Sequence, residues 1–203
     1  MSDDIVVDHP PARRRWNVGW PPVVEVFLIA LGVFLGLAGE QWRDRADRRD
    51  RAHEALRRIQ AEIALNAAAV AKVRDYHATT HQRLKEAFAL PDAERAKASF
   101  RLDGIRPVHF EQTAWQLAQG MQALAEINTD LAFTLARLYG VQENYTELTK
   151  GITNAMYLRP PVGDAIPFLQ SLSIYYDDIV EIERALDAMY KDVQPQVDRA
   201  LDR

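Results

Sequence analysis

The chain contains no cysteine, which excludes a disulfide framework and any thiolate-held zinc or iron–sulfur centre. That absence suits either face of a membrane and fixes no compartment. Serine is scarce as well: Ser2, Ser99, Ser171 and Ser173 are the only ones, none in a nucleophile elbow. There is no phosphate-cradling glycine loop and no His-Glu-x-x-His pattern. Lys and Arg together number 25 against 29 Asp and Glu, a formal charge of −4, so no nucleic-acid partner is expected. The nine glycines and ten prolines gather at a few places, which leaves long stretches free of helix breakers.

What is present has globular proportions, 48% hydrophobic and 27% charged, so disorder loses weight. Basic residues are mostly Arg and alanine is abundant, which favours helices. A chain of 203 residues has room for one anchor and one ordinary domain. The fold class expected is all-α: an N-terminal transmembrane helix continuing into a long helix, with an antiparallel helical bundle domain. The divisions are an N-terminal tail at 1–20, a transmembrane helix at 21–42 and the bundle at 43–203.

The run from Val23 to Gly39 carries one charge, Glu25, and stands at the short end of what spans a bilayer. Trp20 and Trp42 lie 22 steps apart, roughly 33 Å of helix at about 1.5 Å per residue, which sets a tryptophan at each interface. Pro21 and Pro22 suit a helix start, and Glu25 then falls in the first turn near the positive end of the dipole. A sharper reading makes Glu25 an intramembrane carboxylate on one face with Ile29, Gly32, Gly36 and Gly39. On that face Gly32-x-x-x-Gly36 is a small-xxx-small pattern, which suggests a homodimer through Gly32 and Gly36. A cleavable signal peptide is the competing reading, with Arg13-Arg14-Arg15 as its basic region and Gly36-Leu37-Ala38 as its cleavage site, although its apolar part is long for that. Three arginines precede the span, while Arg43, Arg45, Arg48, Arg49 and Arg51 follow it. The count leans towards a cytosolic domain but leaves the side undecided.

Between Glu40 and Leu90 there is no Pro or Gly, and a long helix is expected over about 43–90. Leu56, Ile59, Ile63, Asn66, Val70, Val73, His77, Thr80, Leu84 and Ala87 recur at alternating steps of three and four, a heptad seam of coiled-coil type. Asn66, His77 and Thr80 are its polar positions and are expected to set packing specificity. The mixed-charge stretch Arg43–Arg51 reads as a solvated neck, with anionic headgroups as the alternative contact for its arginines. Pro91 ends the helix, and a short turn is expected within Ala93–Ala98. Thr113-x-x-Gln116 has the form of a capping box opening short helices over about 111–127, with Gly120 as a stop. Thr129 or Asp130 would cap a helix over about 130–157 with the stripe Leu131, Leu135, Leu138, Val141, Tyr145 and Leu148. Asp164 would cap the last, over about 164–201, with Leu172, Tyr175, Ile179, Ile182, Leu186, Met189, Val193 and Val197 on one face.

Two segments carry a family likeness. Glu25-Val26-Phe27-Leu28-Ile29-Ala30-Leu31-Gly32 closing with Gln41-Trp42, and Thr113-Ala114-Trp115-Gln116-Leu117 through Gly120, Leu124 and Tyr145, resemble a widespread bacterial family of uncharacterised single-pass membrane proteins with an N-terminal span and a helical domain of unknown function. The likeness covers the anchor and the middle of the domain. It implies structural roles for Thr113, Trp115 and Gly120 and supplies no chemistry.

His77 and His81 have the spacing of two metal ligands on one helix face, with His109 or Glu111 as a third. His77 also occupies the seam, and packing is the plainer role. In Tyr175-Tyr176-Asp177-Asp178 the ordinary outcome is Tyr in the core and Asp in water. No catalytic, cofactor-binding or metal residue is therefore assigned, no cofactor is expected, and the chain reads as a non-enzyme. The function expected is a membrane-tethered interaction or assembly module in the cell (inner) membrane, with the lipid bilayer and an unknown protein as partners. The alternative is a small-ligand sensor between helices, which the roughly 20 residues ahead of the span leave without an output domain.

Overall fold

A computed structural model describes residues 22–91, 94, 103–158 and 166–202. The chain divides into two compact units, 1–45 and 46–203. The described residues are helical apart from short connections and the extended segment 103–112. Helix α1 runs Pro22–Ala89, α2 Thr113–Gly120, a 3₁₀ turn Ala123–Glu126, α3 Thr129–Leu158 and α4 Ile166–Leu201. The turn expected within Ala93–Ala98 and the cap expected from Asp164 lie outside the described residues, Glu94 excepted.

In the first unit α1 opens with Glu25 in its first turn. Among the described residues one helix is long and apolar enough to cross a membrane; its apolar window has a mean hydropathy of 2.1, and none of that window is buried. Val26, Phe27, Ile29, Phe34 and Leu35 are all at least 60% exposed. A Cβ added at Gly32, Gly36 or Gly39 would meet nothing within 4 Å.

The second unit is an antiparallel bundle, and its side-chain pairs give the directions. His53, Gln60, Arg74 and His77 of α1 meet Leu201, Asp198, Asp187 and Glu183 of α4 in that order, so the two helices run opposite ways. Gln142, Tyr145 and Thr149 of α3 meet Tyr190, Glu183 and Tyr175, again antiparallel. Glu62 and Asn66 reach Tyr139 and Gln142, so α3 runs with α1. The core holds Leu56, Ile59, Ile63, Val70 and Leu84 of the α1 seam, Leu131, Leu135, Leu138 and Tyr145 of α3, and Leu172, Ile179, Leu186, Val193 and Val197 of α4.

The rows that pack differ in places from the stripes read in the sequence. On α4 the buried row is Leu172, Tyr176, Ile179, Glu183, Leu186, Tyr190, Val193 and Val197, a strict alternation of four and three, while Ile182 and Met189 are only half-buried. On α3 Gln142 and Thr149 are inside, and Val141 and Leu148 flank them.

Two caps come from other residues than those expected. The capping box at Thr113 is not formed: position 112, the N-cap, makes no side-chain cap bond. Glu62 of α1 supplies the acceptor instead, taking the N–H groups of Ala114 at 2.7 Å and Trp115 at 3.3 Å. A carboxylate one helix away thus meets both the unpaired amides and the positive end of the α2 dipole. At α3 the cap is Asn128, whose Oδ1 accepts from the N–H groups of Asp130 at 3.0 Å and Leu131 at 3.2 Å.

Candidate functional site: the buried polar seam

A set of polar side chains runs through the middle of the bundle. Glu62, Asn66, His77, Thr80, Gln142, Thr149 and Glu183 are all buried, and three of the seven, Glu62, His77 and Glu183, are ionisable. Such groups cost free energy unless hydrogen-bonded, so the arrangement is decided by who satisfies whom.

At the α2 end, the Glu62 carboxylate also accepts from the Tyr139 hydroxyl at 2.6 Å. Tyr139 stacks on Trp115 with ring centroids 4.7 Å apart and planes within 7° of parallel. Burial first, and then the Glu62 carboxylate, push the Tyr139 hydroxyl far above its ordinary pKa, so it stays a donor. One level on, Asn66 pairs with the backbone of Glu111 in both directions, Nδ2 donating to the carbonyl at 2.8 Å and Oδ1 accepting from the N–H at 2.9 Å. This amide does for an isolated extended segment what a neighbouring strand would do. Gln142 joins the level by accepting from Asn66 at 3.4 Å and donating to the Tyr190 hydroxyl at 3.1 Å.

The third level centres on His77, which is 0% exposed, as is Glu183. Its Nδ1 is 2.5 Å from Glu183 Oε1 and its Nε2 is 2.9 Å from the Ile105 carbonyl. The Tyr145 hydroxyl donates to the same Oε1 at 3.2 Å, while Glu183 Oε2 is buried without a hydrogen-bond partner. Burial and the neighbouring Glu183 charge raise the Tyr145 pKa strongly, and burial does the same at Tyr176. The Tyr76 and Tyr176 hydroxyls both donate to the Gly104 carbonyl, Tyr176 at 3.4 Å.

The residues considered for chemistry separate. His77 spends both ring nitrogens as above, and His81 turns to Asp177. His109 and Glu111 are exposed, and among the described residues no group of three metal-ligating side chains comes together. Tyr175 and Tyr176 are buried, and Asp177 and Asp178 are exposed. Of the polar seam residues, sequence reading found Asn66, His77 and Thr80 and missed Glu62, Gln142, Thr149 and Glu183. The signal for Glu183 was a single carboxylate inside an otherwise apolar four-three row. Glu62 sits beside the seam residue Ile63 and carries no such signal.

The Glu183 carboxylate and the His77 imidazole thus face each other in a packed interior, and the Glu62 carboxylate is taken up by the α2 amides and Tyr139. Clefts of about 340 to 410 Å³ lie in the surface, such as the one lined by Arg49, His53, Leu56, Glu126 and Ala200. No family model, curated protein or solved structure matches the chain.

Proposed function

We propose that this chain is a single-pass protein of the cell (inner) membrane whose helical bundle is a non-enzymatic interaction or assembly module. The observation that carries the reading is the unburied apolar stretch of α1. A contiguous apolar surface of that extent is stable in lipid or against a partner, and a helix satisfies its own backbone inside a bilayer. The bundle adds support from the other direction: its buried ionisable groups are engaged with one another, which favours a rigid platform over a turnover site. The resemblance to single-pass proteins with a helical domain belongs to the same reading.

Within the bilayer the open face at Gly32, Gly36 and Gly39 gives room for a second helix backbone to come close, and a homodimer forms through Gly32 and Gly36. The further partner is a protein that docks on the bundle. The test is energy transfer between differently labelled full-length chains in lipid vesicles, with crosslinking in native membranes. Wild-type chains show transfer that Gly32→Leu with Gly36→Leu lowers at least threefold. A strictly monomeric wild type with no crosslinked protein overturns the assembly reading.

A further inference from the structure

We propose that the His77–Glu183 pair is a proton-dependent latch holding the extended segment 103–112 on the bundle. That segment has no helix or strand of its own and is kept in place by side chains of the helices beneath it. Tyr76 and Tyr176 hold the Gly104 carbonyl, His77 holds the Ile105 carbonyl, and Asn66 holds both backbone groups of Glu111. Between the first two holds and the third, Arg106 takes a left-handed φ of 45°, a strain that the segment sheds when released.

The His77 hold depends on a hydrogen shared with the Glu183 carboxylate. The Ile105 carbonyl can only accept, so Nε2 carries a hydrogen. The 2.5 Å contact between Nδ1 and Glu183 Oε1 needs another hydrogen between those two atoms. Tyr145 already points its own hydrogen at Oε1, and Oε2 has no partner, so no other group supplies it. The closed latch therefore holds one proton more than a neutral imidazole beside a carboxylate. Without that proton two lone pairs face each other where both side chains are 0% exposed, and a buried negative charge has no counter-ion. The ring then moves off Glu183 and gives up Ile105.

The other titratable and charged groups about the pair are few. On α1, Tyr76 lies edge-on at 5.6 Å, and His81, one turn on, is taken by Asp177 of α4. From α4 come Tyr176 at 5.7 Å and Tyr175, from α3 Tyr145, and from the segment Arg106, whose guanidinium sits 3.9 Å above the Tyr76 ring. Burial pushes the phenols of Tyr145, Tyr175 and Tyr176 up, so they remain donors as the pH rises through neutrality.

The sign follows from linkage. A released histidine titrates near 6.5 and a released glutamate near 4.3 (approximate ordinary values). Between these values the open form carries one proton, the same as the closed form. Above about 6.5 it has lost that proton, and each further pH unit favours opening tenfold; below about 4.3 it has gained a second, and opening is favoured again. Opening uncovers Ile105 and Val108, which are buried when the latch is closed.

Hydrogen exchange on the full-length chain in detergent micelles tests this. Intrinsic amide exchange rises about tenfold per pH unit; with linked opening the amides of 103–112 rise about a hundredfold per unit above about pH 6.5, while those of α3 stay near tenfold. In Glu183→Gln the amide donates to Nδ1 without a titrating proton, and the segment returns to about tenfold. His81→Gln keeps the wild-type response. A wild-type segment that exchanges with the same pH dependence as α3 overturns the latch, as does a hundredfold response surviving in Glu183→Gln or vanishing in His81→Gln. Should Glu183→Gln fail to fold, the wild-type and His81→Gln profiles still decide.

Discussion

Replacing Glu62 by Ala removes the acceptor for three donors at once. The N–H groups of Ala114 and Trp115 lose their cap, and the Tyr139 hydroxyl is left buried beneath the Trp115 ring without a partner. A lost helix cap costs about 1 kcal/mol, and a stranded buried hydroxyl about 1–3 kcal/mol. The expected loss is thus about 3 kcal/mol, which for a domain of this size lowers Tm by roughly 6–12 °C. The assay is thermal unfolding of the full-length chain in micelles, followed by helical circular dichroism. Thr113→Ala is the internal control: Thr113 is exposed and position 112 makes no cap bond, so its cost stays within about 0.5 kcal/mol. Combining Glu62→Ala with Tyr139→Phe costs about 1 kcal/mol less than the sum, because the second change removes the hydroxyl that the first strands. A Glu62→Ala loss below about 1 kcal/mol, or a Thr113→Ala loss as large, refutes the cap in trans and restores the local capping box.

Three further outcomes follow from the same geometry. Asn66→Ala strands both backbone groups of Glu111 and costs about 2–3 kcal/mol in thermal unfolding, with exchange of the Glu111 amide faster at every pH. Asn128→Ala removes the α3 cap and costs about 1 kcal/mol, whereas Thr129→Ala and Asp130→Ala cost less than half of that in the same assay. Tyr139, Tyr145, Tyr175, Tyr176 and Tyr190 all have pKa values raised above 10.0, chiefly by burial. A raised folded pKa contributes stability that is complete below the unfolded value and lost above it. The domain therefore loses about 1.4 kcal/mol per buried tyrosine per pH unit beyond about pH 10. Tyrosinate absorbance and helix loss should then appear together in one alkaline transition; tyrosines that ionise stepwise with the helices intact contradict it.

Much of the fold was legible because helices announce themselves locally. The stretch from Glu40 to Leu90 has no breaker, and its steps of three and four placed Leu56, Ile59, Ile63, Asn66, Val70, His77 and Leu84 on the face that is buried. The apolar run before it needs no partner to be recognised, since hydropathy is a property of consecutive residues. Two helix caps depart from the local pattern for a shared reason: Thr113 and Thr129 meet the formal requirements of caps, but helix termini take any acceptor within reach, and in this chain Glu62 and Asn128 accept those amides.

The sequence by itself determined that the chain is helical, where its apolar segment lies, and which face of α1 turns inward, because each of these depends on residues within a few turns of one another. Only the tertiary structure decided which groups the polar seam meets. Asn66 and His77 could equally have met a second copy of the same helix; they meet Glu111 and Ile105 of an extended segment and Glu183 of the last helix. Those partners lie 28 to 106 residues away in the chain, and a hydrogen bond across that separation exists only once the helices have packed.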